Sequence, residues 1–499
     1  MHTQKILLML MLFCSPIFTV AEPLNVLMIS IDDLNDWIGP LGGHPQAKTP
    51  NLDKFCEGGA MVFRNAVCAA PLCGPSRSAV LSGFLPSTTG IYGNEHNMIF
   101  SDMVKHHATL PEYFSKHGYY TLSNGKIFHK HGIDGKYTDF GHWAFDEHAR
   151  ARRYTNNNPD RQKVTACKSG TINGITKPEF KGKGKLSWGP TSCSFEEMVD
   201  YKVAAWTDAM LQRDFDRPFF IASGIIKPHL PWFVPQEFFD LYPLETIQPP
   251  EVNADDLTDI RTPQGKPAFK PSPEYLWVKK HGLEKEATHA YLASISFADA
   301  CLGKIFQALE NSRYADNTIV IIWGDHGWHL GEKQRFLKNT TWNESAKTPL
   351  IIKMPGMEKP AICNRTVSLI DIYPTLIRLC GLPEKELDGI DFSPLLKDPN
   401  AAWTRPGITV SNAGTSVMGE RWHYIQQLDG TEEFYDLQKD PMEWTNLISS
   451  PEHAERIDAM RKWIPSKRAE FTGPILRKPK NYVNADAAPN MKRVLNALQ

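Results

Sequence analysis

Residues 25–31 read Asn-Val-Leu-Met-Ile-Ser-Ile, an unbroken run without a charged side chain, and the chain passes from it straight into Asp32-Asp33. A run this short and this rich in branched aliphatic residues is a strand buried on both faces, the pattern of a parallel sheet covered by helices. Residues 318–323 (TIVIIW) repeat the pattern and enter Gly324-Asp325-His326-Gly327. Residues 218–223 (PFFIAS) and 349–353 (PLIIK) read as two more such strands. Helical patterns lie between them. One spans 110–117 behind a Thr109 cap, and another spans 370–379. A long one spans 284–311, with Tyr291, Ile295, Leu302, Ile305 and Leu309 at helical spacing. Strands alternating with helices predict an α/β fold with a large, mainly parallel sheet.

Two stretches break the pattern. Residues 150–195, rich in Asn, Gly, Lys and Pro, read as a long surface insertion, and 246–275 as a proline-rich loop. Near residue 400 the pattern changes to short strands with tight turns, at 407–411, 422–428 and 433–437. They predict a smaller C-terminal subdomain with an antiparallel sheet, followed by a polar tail or wrapping arm. At the other end, His2 and Lys5 precede an apolar run from Ile6 to Phe13 and a small-x-small site at Thr19-Val20-Ala21. This is the layout of an export signal, too short for a membrane span. The expected division is a signal at 1–21, a catalytic α/β domain at 22–400 and a C-terminal subdomain and tail at 401–499. The expected location is secreted or periplasmic, and no other segment reads as a membrane span.

Export permits disulfides. Eight cysteines lie beyond the signal, with no paired spacing of a zinc site. Cys167 and Cys193 flank the loop-like stretch and are the expected bridge. The others read equally well as small buried apolar residues. Lys and Arg total 55 against 56 Asp and Glu, for a net charge of -1. That balance excludes bulk nucleic-acid binding, which needs a basic excess.

Open α/β sheets bind ligands beyond the carboxyl ends of their strands. Asp32, Asp33 and Asp325 are expected there together, with His326 beside them. Gathered carboxylates repel unless a cation neutralises them, and a hard divalent ion with oxygen ligands is the natural solution. The plainer alternative is that each Asp caps a turn after its strand.

A further motif narrows the reading. Cys73-Gly74-Pro75-Ser76-Arg77 continues into Ser78-Ala79-Val80-Leu81-Ser82-Gly83. This resembles the signature of the formylglycine-dependent sulfatases, and the resemblance extends to Phe434-Tyr435-Asp436-Leu437, Asp440-Pro441, Glu443 and Asn446-Leu447. The iduronate-2-sulfatase-like branch is the nearest. The resemblance implies an alkaline-phosphatase-like sandwich and hydrolysis of a sulfate ester, most naturally on a sulfated glycan. It also implies a maturation enzyme that oxidises Cys73 to formylglycine. The aldehyde hydrates; one hydroxyl attacks sulfur, and the other lets the sulfated adduct collapse.

Carried over residue by residue, Asp32, Asp33, Asp325 and His326 match the metal ligands, completed by modified Cys73. The expected ion is calcium, with magnesium as the alternative. Arg77 matches the arginine that holds the hydrate. In Gly125-Lys126-Ile127-Phe128-His129, Lys126 would bind sulfate and His129 would orient or deprotonate the hydrate. In Lys227-Pro228-His229 the histidine would protonate the leaving oxygen, and Lys338 would bind sulfate. This chain has Lys-Ile-Phe-His where many sulfatases have Lys-Trp-His, and His326 where many have Asn. Asn94-Glu95-His96-Asn97 is expected near the pocket rim, and Trp143, Trp232, Trp328 and His329 are candidates for a sugar platform or for the core. A phosphoesterase of the same fold, or a glycan-binding protein with unmodified cysteine, are the competing readings.

Overall fold

The computed structural model describes residues 23–129, 144–149, 171–172, 175–176 and 186–472. Its centre is an eight-stranded sheet. In chain order the strands are β1 (Asn25–Ile31), β2 (Met61–Val67), β3 (Tyr120–Gly125), β4 (Glu147–Ala149), β5 (Phe219–Ile225), β6 (Thr318–Gly324), β7 (Leu350–Lys353) and β8 (Ala361–Ser368). Their order across the sheet is β8-β2-β7-β6-β1-β5-β3-β4. β1 lies between β6 and β5, parallel to both, with Ile31 opposite Gly324 on one side and Ile225 on the other. Three strands therefore end side by side. Only β7 runs against the rest, antiparallel to both β6 and β2. The short apolar run at 349–353 signalled burial but not this reversal.

The alternation of side chains along each strand builds two cores. Leu27, Ile29 and Ile31 join Ile221, Val320 and Ile322 on one face. That face is covered by helices α2 (Val199–Leu211) and α3 (Glu284–Glu310). Val26 and Met28 join Phe220, Ile319, Ile321 and Trp323 on the other. There they pack under α1 (Cys73–Ser82) and α4 (Ile372–Leu379). This is the predicted α/β sandwich. The helix expected after Thr109 spans Leu110–Lys116 and starts with a capping box to Glu112. α3 corrects one expectation: its 27 residues are long and apolar enough to cross a membrane. It instead supplies Tyr291, Ile295, Phe297 and Leu302 to the core, so its apolar length reflects burial within the fold.

A four-stranded antiparallel sheet follows, formed by β9 (Gly407–Val410), β10 (Gly414–Met418), β11 (Trp422–Gln427) and β12 (Glu432–Asp436). β10 was not expected; its Gly-Thr-Ser-Val-Met sequence carries little apolar signal. The 246–275 loop packs against this sheet through Leu257 and Ile260, which meet Ile425, Tyr435 and Trp342. The described end of the expected surface insertion is only partly at the surface: Pro190, Ser192 and Ser194 are exposed, but alternate residues turn inward. Trp188–Thr191 pairs in parallel with Trp232–Pro235, and Leu186, Trp188 and Cys193 join the core. The expected Cys167–Cys193 bridge, the export signal at 1–21 and Trp143 involve residues outside those described.

Candidate active site

β1 ends and Asp32 and Asp33 follow at once, both fully buried. Asp33 has a φ of 63°, a left-handed conformation that Asp tolerates better than bulky residues. Tyr291 of α3 fixes this turn: its hydroxyl donates to Asp33 O at 2.7 Å and accepts from Asn35 N at 3.1 Å. Asp325 and His326 follow β6, also fully buried. The Asp33 N–H donates to Asp325 Oδ1 at 2.9 Å, joining the two strand ends directly.

Cys73 is the first residue of α1 and is 1% exposed. Its Sγ lies 3.0 Å from Lys338 Nζ, 3.4 Å from His326 Nε2 and 3.7 Å from Asp33 Oδ1. One turn along α1, the buried Arg77 guanidinium spans the acidic floor. It donates to Asp325 Oδ2 at 2.8 Å, to Asp32 Oδ1 at 3.4 Å and to Ser30 Oγ at 3.1 Å. It also donates to the carbonyls of Lys126 and Ile127.

Lys126 enters from the end of β3 and pairs with Asp32. Its approach depends on two glycines. A Cβ on Gly224 would come within 2.3 Å of Lys126 N, and one on Gly125, where φ is 79°, within 2.0 Å of Gly224 O. His229 follows β5, with Nε2 4.0 Å from Asp32 Oδ2 and 3.9 Å from Asp33 Oδ2. The turn leading to it is held by buried Asp200, which accepts from the Ile226 and Lys227 amides at 2.9 and 2.8 Å. Lys338 pairs with Asp33 as well as approaching Cys73. The structure thus gathers Asp32, Asp33, Cys73, Arg77, Lys126, His229, Asp325, His326 and Lys338. His129 is half-buried three residues beyond Lys126.

Crowding shapes the charge states. Burial pushes the Asp33 carboxyl above its usual range, and Asp32 and Asp325 add to this while Lys338 opposes it. Burial works against the Lys338 ammonium, but Asp33 leads a set of anionic neighbours that raises its pKa and keeps it charged. Ligand atoms of Asp32, Asp33, Cys73 and His229 lie within 4.8 Å of one another, as do those of Cys73, Asp325 and His326. These residues fit a divalent cation. The buried Asp33 Oδ2 accepts no hydrogen bond. His326 Nδ1 lies 2.9 Å from Gly327 O, so Nδ1 carries a proton and Nε2 is the nitrogen turned toward the carboxylates. The oxygen-rich donor set suits a hard ion such as calcium or magnesium.

The tryptophan platform gives way to a supporting role. Trp232 and Trp328 are buried, as is His329. Trp232 Nε1 donates to Pro228 O at 2.6 Å and so steadies the His229 turn. The Trp328 ring lies 5.2 Å beneath Lys338 Nζ. Asn94, expected near the rim, accepts from Gly74 N at 2.6 Å beside Cys73. Sequence reasoning missed Asp200, Tyr291 and Ser30. Their sequence surroundings carry no motif, because their partners are mostly backbone groups distant in the chain.

The sequence pattern described as Sulfatase matches residues 24–382. That of the N-sulphoglucosamine sulphohydrolase C-terminal region matches 324–470. A sulfatase of Formosa agariphila is 36% identical over 90% of this chain and 87% of its own length. Iduronate 2-sulfatase of Homo sapiens is 30% identical over 73% of this chain and 70% of its own. In structure, a 2-O GAG sulfatase superposes with a TM-score of 0.64 at 22% identity, covering 88% of this chain and 91% of that one. Its likeness establishes the shared sandwich fold. Matched along most of its length in sequence, this chain belongs to the sulfatase family and is a sulfuric ester hydrolase.

Proposed function

We propose that this enzyme removes sulfate from a sulfated carbohydrate outside the cytoplasm, with a formylglycine made from Cys73 by a maturation enzyme. The observation that carries the reading is the position of Cys73 Sγ, 3.0 Å from Lys338 Nζ and 3.4 Å from His326 Nε2 at the head of a buried acidic pocket. A thiol kept only for packing has no use for these neighbours. Asp32, Asp33, Asp325 and His326, with the modified Cys73, would hold one divalent cation, calcium or alternatively magnesium. Such an ion neutralises the carboxylates and stabilises negative charge on the sulfate oxygens.

The remaining steps belong to the side chains. Arg77 orients the hydrated residue 73, and His129, following Lys126, helps to deprotonate it. Lys126 and Lys338 carry positive charge to the sulfate and favour the charge that grows as the S–O bond breaks. His229 Nδ1 is hydrogen-bonded to Leu230 O, which leaves Nε2 facing the pocket to protonate the leaving sugar oxygen. One hydroxyl of the hydrate bonds to sulfur as the protonated alcohol departs. The second hydroxyl then loses its proton, the sulfate leaves, and water rehydrates the aldehyde.

A carbohydrate substrate is supported by relatives named for iduronate and GAG chemistry. Export is supported by the 1–21 segment. The test is a comparison of kcat/KM on a panel of sulfated oligosaccharides, an aryl sulfate and a phosphate monoester, with mass analysis of the Cys73 peptide. A preference for either non-sugar substrate over every oligosaccharide refutes the carbohydrate reading. An unmodified thiol in fully active enzyme refutes the formylglycine.

A further inference from the structure

Beyond the catalytic pocket, a groove of about 480 Å³ is lined by Tyr92, Asn412, Leu428, Arg468, Glu470 and Phe471. The volume falls within the range of small-ligand sites. Its composition is unusual for idle surface: Phe471 is 65% and Leu428 63% exposed, among the most exposed large apolar side chains described. Phe471 is held edge-on to Tyr92, with ring centroids 5.2 Å apart, and lies 5.1 Å from His96. The Arg468 guanidinium lies 4.7 Å over the Tyr92 ring and donates to Thr415 Oγ1 at 3.2 Å and to Ser411 O. The segment that presents them is pinned by its backbone, with Ala469 N donating to Ser87 O at 2.7 Å and Thr472 N to Gly90 O at 3.0 Å.

Three walls of this groove lead back to the reacting groups. Tyr92 is two residues before Asn94, whose side chain accepts from Gly74 N at 2.6 Å, next to Cys73. Asn412 is two residues after Val410, whose amide bonds Ala69 O at 2.8 Å, four residues before Cys73. Leu428 follows Gln427, whose Nε2 donates to Thr341 Oγ1 at 3.4 Å, three residues after Lys338. These tethers tie three walls of the groove to the segments that carry Asn94, Cys73 and Lys338, which argues for a place on the pocket's side of the molecule.

We infer that this groove is a subsite for the sugar unit adjoining the sulfated one, and that it favours a unit bearing a carboxylate or sulfate. The inference rests on the carbohydrate reading above and deepens it. The exposed Phe471 ring offers a flat apolar face to the C–H face of a pyranose, Asn412 meets hydroxyls, and Arg468 supplies the cationic partner for the anionic group. Pre-set aromatic and guanidinium groups lose little freedom on binding, which suits them as anchors.

The experiment measures kcat/KM of wild type, Phe471→Ala and Arg468→Met on an anionic sulfated oligosaccharide and on a small aryl sulfate, which carries no adjoining sugar unit. Each variant is expected to lose roughly tenfold on the oligosaccharide, chiefly through KM, with aryl sulfate turnover retained. Retained aryl sulfate activity also certifies the fold and the maturation of Cys73. Wild-type turnover of the oligosaccharide with no loss in either variant overturns the subsite and leaves the carbohydrate reading standing. Equal losses on both substrates also overturn it, assigning these residues to structure. Aryl sulfate turnover by wild type without any oligosaccharide turnover overturns both.

Discussion

Replacing Lys333 by Met removes one buried charge from the seam between the catalytic pocket and the C-terminal sheet. Lys333 Nζ is 2.7 Å from Asp256 Oδ1 and donates to Glu443 O, with both side chains of the ion pair almost wholly buried. The Tyr435 and Trp342 rings lie 4.8 and 5.6 Å from it. Asp256 is already pushed up to about 6, by burial first and against the opposing pull of Lys333. Methionine fills the volume but leaves this carboxylate without its cation, so its pKa must climb further. A carboxyl whose folded pKa exceeds its unfolded value contributes stability at low pH and loses it as pH rises through the folded pKa. Wild type passes that point near 6, whereas the variant must take up a proton to stay folded at higher pH. The variant's deficit should therefore be small at pH 6 and grow by about 1.4 kcal/mol per pH unit. At pH 8 it reaches roughly 3 kcal/mol, the low end of the cost of breaking a buried pair. Denaturant unfolding of both proteins from pH 5.5 to 8 measures it. Adding Asp256→Asn to the variant should recover most of the loss at pH 8. A deficit that is absent, or that does not change with pH, would refute the reasoning.

Cys73→Ala should fold as wild type does, since the side chain shrinks at a helix start, yet lose essentially all turnover; full activity contradicts a role for residue 73. Asp325→Ala leaves Arg77 without its 2.8 Å partner and removes one of the proposed metal ligands, so both bound divalent metal, by elemental analysis, and kcat should fall. An active preparation of wild type without any bound metal would argue against the cation. His229→Ala should cost about 10²–10⁴-fold on a sulfated sugar, whose alkoxide leaves poorly, and far less on nitrophenyl sulfate. Equal losses on the two would make His229 a binding or structural group.

Much of this centre is legible in the sequence because its elements are local. An apolar strand that runs into Asp32-Asp33, another that runs into Asp325-His326, and the Cys73–Arg77 motif each declare themselves within a dozen residues. What stays hidden is set by distant partners. Asp200 reads as an ordinary acid on a helix until the Ile226 and Lys227 amides are seen upon it. Trp232 and Trp328 look equally suited to a sugar platform, and only packing around Tyr291 assigns them to the interior. β2 was not anticipated because Arg64 and Asn65 interrupt its apolar pattern where it faces outward.

The reversed strand β7 has a consequence for how the pocket is supplied with side chains. β6 delivers the chain to the active face, and an antiparallel neighbour must begin on that same face. The intervening residues 325–349 therefore never cross the sheet. They are free to range over the pocket as one broad excursion, and Lys338 is carried within it. A second reversal, from β7 to β2, restores the original direction, so β2 also finishes at the active face and residues 68–72 hand over Cys73. With a single reversal, β2 would finish at the opposite edge, about 20 Å away for a seven-residue strand. The six Cα steps from Val67 to Cys73 reach only about 20 Å fully extended, so the whole connection would be used up in running back along the sheet, with none left to turn Cys73 toward its acids. The cysteine's reach is thus a matter of parity: two turns of direction bring it home with chain to spare, and one would leave it none.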